Sequence, residues 1–206
     1  MANLIDTTYF IEEIEIPNAN QDEIEEDVTG SITQYEREVL VSLLGYPLYK
    51  LLRDSAFVDG DASIWDKLVN GDDFSFTLNS QTVELRWDGL RGFEKKSLIA
   101  YYVYYMHRRK RASYHAGTGI EVEAASDNAA PASVYHKMVE VWNEFVNMYG
   151  DPTDDYGYVI DIPAELDNYT HHNNLASAYN YLLAKKADFP TWKFKSQGGE
   201  LNRFGF

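Results

Sequence analysis

The fold is decided by Leu98-Ile99-Ala100-Tyr101-Tyr102-Val103-Tyr104-Tyr105-Met106, a stretch that leaves a helix almost no polar face. A helix that is apolar on nearly every side has to be covered on several sides, so this segment is predicted to be the central element of a helical domain. It ends in the basic run His107-Arg108-Arg109-Lys110-Arg111. Gly117-Thr118-Gly119 then breaks the helical period, and residues 120–124 alternate as a short strand does.

A second helix is predicted to follow and to cover the first. Pro131 stands near its first turn and Gly150 just past its end, the positions that proline and glycine favour. Apolar residues at three- and four-residue spacing form one stripe along this helix. They are Val134, Met138, Val141, Trp142, Phe145 and Met148.

A long helix is predicted upstream, from about Gln21 to Leu44. The residues that keep helical spacing along it are Ile24, Val28, Ile32, Tyr35, Val39 and Leu43. Acidic residues crowd its first turns at positions 22–27, where negative charge complements the helix dipole. Gly45-Tyr46-Pro47 ends this helix and starts a short one with leucines at 48, 51 and 52.

The next segment changes to a period of two, which predicts a β-hairpin over residues 73–87. Three apolar residues alternate with polar ones on each side of the turn Asn79-Ser80-Gln81. They are Phe74, Phe76, Leu78, Val83, Leu85 and Trp87. A lone hairpin is marginally stable in water, so this one is expected to pack on the helices or on another subunit.

The chain is divided by these signals into a helical domain and two arms. Residues 1–18 are predicted to form an extended N-terminal arm that Pro17 closes, and the alternative is that this end folds back on its own domain. Residues 19–188 form the helical domain, which includes the hairpin at 73–87 and ends in a helix from Asn174 to Ala187. Residues 189–206 form a C-terminal aromatic arm. The predicted fold class is therefore mainly α: a helical bundle with a β-hairpin and extended N- and C-terminal arms.

Composition narrows the class of protein. Of 206 residues 45% are apolar, which is enough for one compact domain with a core. The chain has no cysteine, which excludes disulfides and thiolate zinc sites. Neither a secretory signal nor an apolar run of the roughly 18 residues that a membrane span needs is found, so no membrane partner is expected. A formal net charge of -15 disfavours unspecific contact with phosphate backbones.

Segments that superficially suggest chemistry lack the residues that such chemistry needs. Asp151 to Gly157 resembles a calcium loop, but its glycine is one position late and Ile162 stands where a bidentate Glu is required. His171 and His172 are adjacent and point in different directions on regular structure, which disfavours a shared metal. Gly117-Thr118-Gly119 lacks the lysine of a phosphate loop. No serine or histidine stands in a recognisable nucleophile motif, although the members of a triad assemble in space and need not be close in sequence. From the missing motifs we predict no catalytic residue, no cofactor and no enzyme.

The basic run at the end of the central helix has three interpretations. Cations at a helix C-terminus complement its dipole, which stabilises by about 0.3–1 kcal/mol each. Basic runs also contact DNA. The third interpretation is a contact with the carboxylates of a neighbouring subunit, which is favoured over DNA because screening leaves a close ion pair intact. The interface residues that it predicts are Arg108, Arg109, Lys110, Arg111, Glu25 and Glu26.

The C-terminal arm combines aromatic side chains with cations, a mix that suits docking on a partner. The competing interpretation is that these aromatic side chains cover the subunit's own core. The predicted docking residues are Phe189, Trp192, Phe194, Arg203, Phe204 and Phe206.

The order of these parts, over roughly residues 20–150, resembles that of the head-to-tail connector (adaptor) proteins of tailed phages and prophages. The resemblance rests on the long helix that closes in Leu43-Leu44-Gly45-Tyr46-Pro47-Leu48-Tyr49, on the central helix, on the break at Thr118-Gly119-Ile120, on a second helix starting near Pro131 and on aromatic termini. It implies a structural virion protein of the neck, whose copies form a ring, commonly of twelve, beneath the portal.

The resemblance also implies partners. These are further copies of the chain, the portal protein and tail or further neck proteins, with DNA passing through the lumen without specific binding and with assembly in the host cytoplasm. An alternative of a different class is an acidic DNA-mimicking inhibitor, which would spread carboxylates over one face at phosphate-like intervals. The acids of this chain cluster at 21–27 and 151–155 instead, so the connector is favoured.

Overall fold

The structure is a computed structural model, which describes residues 3–17, 22–54, 63–78, 81–116, 119–122, 134–150, 170–171 and 175–195. The helices in these ranges are α1 (Asp22–Leu44), α2 (Tyr46–Asp54), α3 (Ile64–Asn70), α4 (Leu98–Ala112), α5 (Val134–Tyr149) and α6 (Ala178–Ala184). The strands are β1 (Asp72–Leu78), β2 (Gln81–Trp87), β3 (Ser113–Ala116), β4 (Gly119–Val122), β5 (Thr170–His171) and β6 (Leu175–Ala176). The prediction of a mainly helical bundle with a β-hairpin is confirmed.

Helix α4 is the central element, as its apolar sequence predicts. Every residue from Leu98 to Tyr105 is buried, and both α1 and α5 pack against this helix. Tyr102 donates a hydrogen bond to Glu38 of α1 (2.8 Å), and Tyr101 donates one to Glu13. A tyrosine offers a large apolar ring with a polar tip, so a tyrosine-rich helix fills the core while its hydroxyls reach acceptors on neighbouring segments.

Helix α5 covers α4 with the predicted apolar stripe. The buried members of the stripe are Met138, Val141, Trp142 and Phe145. The ring of Trp142 lies 4.6 Å from that of Tyr105 and 5.1 Å from that of Phe145, measured between centroids. Gly150 ends the helix with φ +75°, and its N–H donates to the carbonyl of Val146 (2.8 Å), as its position predicts. Pro131 and the side chain of Val134 lie outside the described residues.

Helix α1 ends at the predicted glycine. Gly45 has φ +75°, and its N–H donates to the carbonyl of Val41 (3.0 Å). A Cβ at this position would lie 2.8 Å from the carbonyl oxygen of Lys193, so the C-terminal segment approaches too closely for a larger residue. The following helix α2 buries Leu48 and Leu52 against α1.

The hairpin belongs to a larger sheet than its own two strands. Strands β1 and β2 pair antiparallel from Asp72 opposite Trp87 to Leu78 opposite Gln81, and the sheet order is β1-β2-β6-β5. Strand β6 pairs parallel to β2 at Arg86 and Leu175. The helix predicted from Asn174 to Ala187 is therefore too long at both ends, since α6 spans Ala178–Ala184. It begins at Ala178 because Ser177 caps it by accepting a hydrogen bond from the Asn180 N–H (3.3 Å).

The described N-terminal residues 3–17 fold onto the bundle instead of extending away from it. The buried side chains of this segment are Leu4, Ile5, Phe10, Ile14 and Ile16. The Glu36 carboxylate of α1 accepts hydrogen bonds from the Leu4 N–H (2.9 Å) and the Ile5 N–H (3.3 Å). The predicted N-terminal arm is corrected on this point, because its buried apolar residues form part of the chain's own core.

Glu36 holds the N-terminal segment against α1, and removal of its carboxylate is expected to destabilise the fold. Burial raises the pKa of its carboxyl, although the two backbone hydrogen bonds and the positive field of Arg91 lower it in part. We expect Glu36→Ala to lower the free energy of unfolding by about 1–3 kcal/mol in urea melts, because two buried N–H groups lose their acceptor. Glu25→Ala, on an exposed position of the same helix, is the control and should change stability by less than about 0.5 kcal/mol. Equal effects of the two substitutions would contradict the anchoring role of Glu36.

Candidate functional site

The basic run at the end of α4 lies beside an acidic residue of the same chain, Asp27. Lys110 Nζ and Arg111 Nη1 each lie 3.8 Å from a carboxylate oxygen of Asp27. Both cations are more than half exposed, so each pair contributes about 0–1 kcal/mol. Arg108 lies against Tyr104, with its guanidinium carbon 5.5 Å from the ring centroid. The structure thus gives Arg108, Lys110 and Arg111 partners within the chain, which the predicted intersubunit contact did not include.

Three of the predicted interface residues remain on the surface beside these pairs. Arg109 is exposed at the end of α4, and Glu25 and Glu26 are exposed in the first turns of α1. Helices α1 and α4 pack together, and the ion pairs of Asp27 join the beginning of α1 to the end of α4. This end of the bundle therefore presents both signs of charge within a short distance.

His107 begins the basic run in sequence but is not part of the surface patch. It is buried, and its Nδ1 lies 3.0 Å from the hydroxyl oxygen of Ser31 on α1. Burial lowers the pKa of the imidazole, and three neighbouring cations lower it further, while Asp27 raises it only in part. The neutral imidazole therefore makes a polar contact between α1 and α4 inside the bundle.

Three of the aromatic residues predicted to dock on a partner, Phe189, Trp192 and Phe194, pack against the chain's own core. Phe189 is 1% exposed, and its ring lies 5.9 Å from that of Trp65. Trp192 Nε1 donates to the carbonyl of Leu43 (2.8 Å). The Phe194 ring lies 5.0 Å from that of Tyr149.

The backbone holds the same C-terminal segment against α1. The N–H groups of Lys193 and Lys195 donate to the carbonyls of Leu44 (3.2 Å) and Ser42 (2.9 Å). The docking role predicted for residues 189–195 is therefore corrected to a structural one. Arg203, Phe204 and Phe206 lie outside the described residues.

A groove that the sequence did not reveal lies between the N-terminal segment, the end of the hairpin, α5 and β6. Its volume is about 300 Å³. Trp87, Leu98 and Met148 give it an apolar lining, and Phe93, which is 57% exposed, lines it as well. Pockets of this kind, apolar with a few polar groups, are where proteins bind side chains and ligands.

The backbone around the groove is strained at three residues. Among the described residues, those with positive φ other than glycine are Glu12 (+53°), Glu94 (+50°) and Lys95 (+69°). Glu12 and Glu94 line the groove. Gly92 (φ +73°) begins the turn that contains Glu94, and a Cβ on it would clash with the carbonyl oxygen of Lys96. Such strain costs about 1–3 kcal/mol per residue and recurs at binding sites, which makes the groove the best candidate site.

Negative charge surrounds the apolar lining. The charged side chains that line the groove are Glu12, Asp88, Glu94, Glu144 and Lys96. Burial lowers the pKa of Lys96, but its hydrogen bond to Glu144 (2.7 Å) and the field of Glu144, Glu13 and Glu12 outweigh that effect and raise the pKa. The groove is therefore an environment that favours a positive charge.

Helix α2 presents a second surface, which we call the outer face of α2: Tyr46, Pro47, Lys50 and Leu51. These four side chains are exposed and lie on the side of the helix opposite the buried Leu48 and Leu52. Tyr46 is 59% and Leu51 is 50% exposed, which is high for large apolar residues. The last turn adds the exposed Arg53 and Asp54.

The described residues include no group of three or more His, Asp or Glu side chains that could hold a metal ion. In the same ranges, no helix combines the length and apolar character needed to cross a membrane. The segment 151–157 and His172 lie outside the described residues. Comparison of the chain with protein-family models, with curated proteins and with solved structures found no match.

Proposed function

We propose that this protein is a structural subunit of a virion, a head-to-tail connector whose copies form a ring between the portal and the tail of a tailed phage or prophage. The observation that supports the proposal is the order of elements: an α1 with acidic first turns, Gly45 and the short α2 after it, a central α4 and an α5 that covers it. This order is the one that the connector resemblance implies. Two exposed surfaces with apolar side chains, the groove and the outer face of α2, suit a protein that acts by assembly.

The distribution of charge favours the connector over a DNA-mimicking inhibitor. A DNA mimic needs an acidic face from which cations are kept away. In this chain the acidic first turns of α1 lie beside the exposed Lys110 and Arg111. That arrangement suits contact between copies, and the net charge of -15 suits a ring through which DNA slides without being bound.

The direct test is the mass of the purified protein in solution, alone and together with the portal ring of the same phage or prophage. A connector is expected to bind the portal ring in a fixed number of copies, close to twelve if the resemblance holds. The proposal would be contradicted by a protein that is a monomer on its own and does not bind the portal ring, at the highest concentrations at which both can be measured.

Charge reversal at the end of the bundle tests where copies meet. If Arg109 contacts carboxylates of a neighbour, Arg109→Glu should weaken assembly on the portal, and adding Glu25→Lys and Glu26→Lys should restore it in part. Lys186→Glu, an exposed position after α6, is the control for the change in net charge. Unchanged assembly of the Arg109 variant would leave the helix dipole as the role of this basic run. Loss of DNA retention with normal assembly would indicate contact with DNA instead.

A further inference from the structure

We infer that the outer face of α2 on one copy of the chain binds in the groove of a neighbouring copy, an inference that rests on the proposed assembly into a ring. The groove and the outer face of α2 share no residue. One copy therefore carries both halves of the contact and can use each with a different neighbour.

The first argument is apolar complementarity. Tyr46 and Leu51 expose large apolar side chains on a helix whose other side buries Leu48 and Leu52. The groove offers Trp87, Leu98 and Met148 in a space that holds one or two side chains. Burying the exposed pair in this lining removes apolar surface of both partners from water.

The second argument is charge complementarity. Asp88 pairs with Arg86 (3.0 Å) and Glu144 with Lys96 (2.7 Å), so these two carboxylates of the groove already have cations beside them. Glu12 and Glu94 are exposed on the same groove.

Cations stand beside the apolar residues on α2. Lys50 lies between Tyr46 and Leu51 on the outer face, and Arg53 follows in the last turn. An incoming α2 thus brings its positive charge to the acidic groove together with its apolar side chains, whereas an acidic partner segment would be repelled. Asp54 follows Arg53 at the end of α2 and offsets one of these charges, so the outer face and last turn together carry one net positive charge.

The third argument is the kind of assembly that such a contact makes. A contact between two different surfaces is heterologous, and repetition of it gives a ring if the rotation between copies closes. One helix face in one groove is smaller than a stable two-protein interface, so a single contact is expected to be weak and to gain strength from repetition. The test must therefore detect a transient contact.

The chain has no cysteine, so an introduced cysteine is the single thiol through which a copy can be cross-linked. Leu51→Cys is made in one preparation and Phe93→Cys in another, both in the full chain and both at exposed positions. The two are mixed and treated with a short bis-maleimide, so that any product joins two copies. We expect the mixture to give a cross-linked dimer in at least about tenfold higher yield than a mixture of Leu51→Cys with Lys186→Cys, an exposed control position.

A second arm tests the charges. Adding Lys50→Glu and Arg53→Glu to the Leu51→Cys chain should lower the yield several-fold, and adding Glu12→Lys and Glu94→Lys to the Phe93→Cys chain should restore it in part. If Lys50→Glu and Arg53→Glu lowered the yield only by misfolding α2, reversing charges on the other chain would not restore the yield of cross-linked dimer.

Two results would overturn the inference. One is equal yield in the test and control mixtures, and the other is a product formed mainly by Leu51→Cys with itself. Both leave the proposed function standing if the wild-type chain still binds the portal ring, because that measurement does not depend on which surfaces meet. The proposed function would be contradicted separately, by a wild-type chain that neither binds the portal ring nor self-associates.

Discussion

Replacing Trp142 with alanine is expected to lower the free energy of unfolding by about 3–5 kcal/mol. The indole is 2% exposed and lies among the rings of Tyr102, Tyr105 and Phe145, where α4 meets α5. Truncation to a methyl group removes the contacts of a large side chain and leaves a cavity that the surrounding aromatic rings cannot fill without moving. Urea unfolding followed by circular dichroism measures the loss.

Two further variants make this prediction specific. Trp142→Phe should cost much less than alanine, because it keeps a ring and removes a buried indole N–H that has no acceptor among the described residues. Phe93→Ala, which removes a 57% exposed ring, should cost less than about 1 kcal/mol. A loss below 1 kcal/mol for Trp142→Ala would mean that the stripe of α5 does not face the core.

The helices were predictable because their signals are local. The tyrosine-rich stretch at 98–106 has too few polar residues for any surface helix, so its central position follows from its composition. Gly45 and Gly150 adopt the left-handed conformation that ends a helix, and their positions after apolar stripes marked the ends of α1 and α5. The hairpin was equally predictable, because its apolar residues alternate with polar ones.

The pairing of β6 with β2 was not predictable in this way. It joins residues about ninety positions apart, Arg86 and Leu175, through a two-residue strand that has no period of its own. Leu175 of this strand fell within the helix that the sequence predicted from Asn174 to Ala187. The signal that could have placed the boundary correctly was Ser177, a residue type that favours the position before a helix begins.

The groove was hidden for the same reason, because its lining comes from segments that are distant in sequence. Glu12, Leu98, Met148 and Ala176 have no common pattern. Phe93 offered no clue either, because a single apolar residue between Gly92 and charged residues is ordinary on a protein surface. Composition alone also could not decide the role of the C-terminal aromatic residues, since buried cores and interfaces are both rich in such rings.

Removing residues 189–206 is expected to destabilise the isolated chain strongly. The structure packs Phe189 against Trp65, joins Trp192 to the Leu43 carbonyl and places Phe194 beside Tyr149. Loss of one large buried aromatic side chain costs about 3–5 kcal/mol, so loss of this segment should cost at least about 5 kcal/mol. For a chain of this size such a loss lowers the melting temperature by about 10–20 °C. Thermal unfolding of the monomer, followed by circular dichroism, measures the shift.

A second truncation, at Gln197, isolates the segment responsible. That variant keeps every contact that residues 189–195 make with the other described residues, so the difference between the melting temperatures of the two truncated chains reports on residues 189–197 and not on residues 198–206. We expect most of the shift to appear only when residues 189–197 are removed, because Lys193 and Lys195 also hold the segment to α1 through its backbone. Equal melting temperatures of the full chain and the chain that ends at Asp188 would show that the segment adds no stability, and a loss of portal binding without any thermal effect would return it to the role of a docking arm.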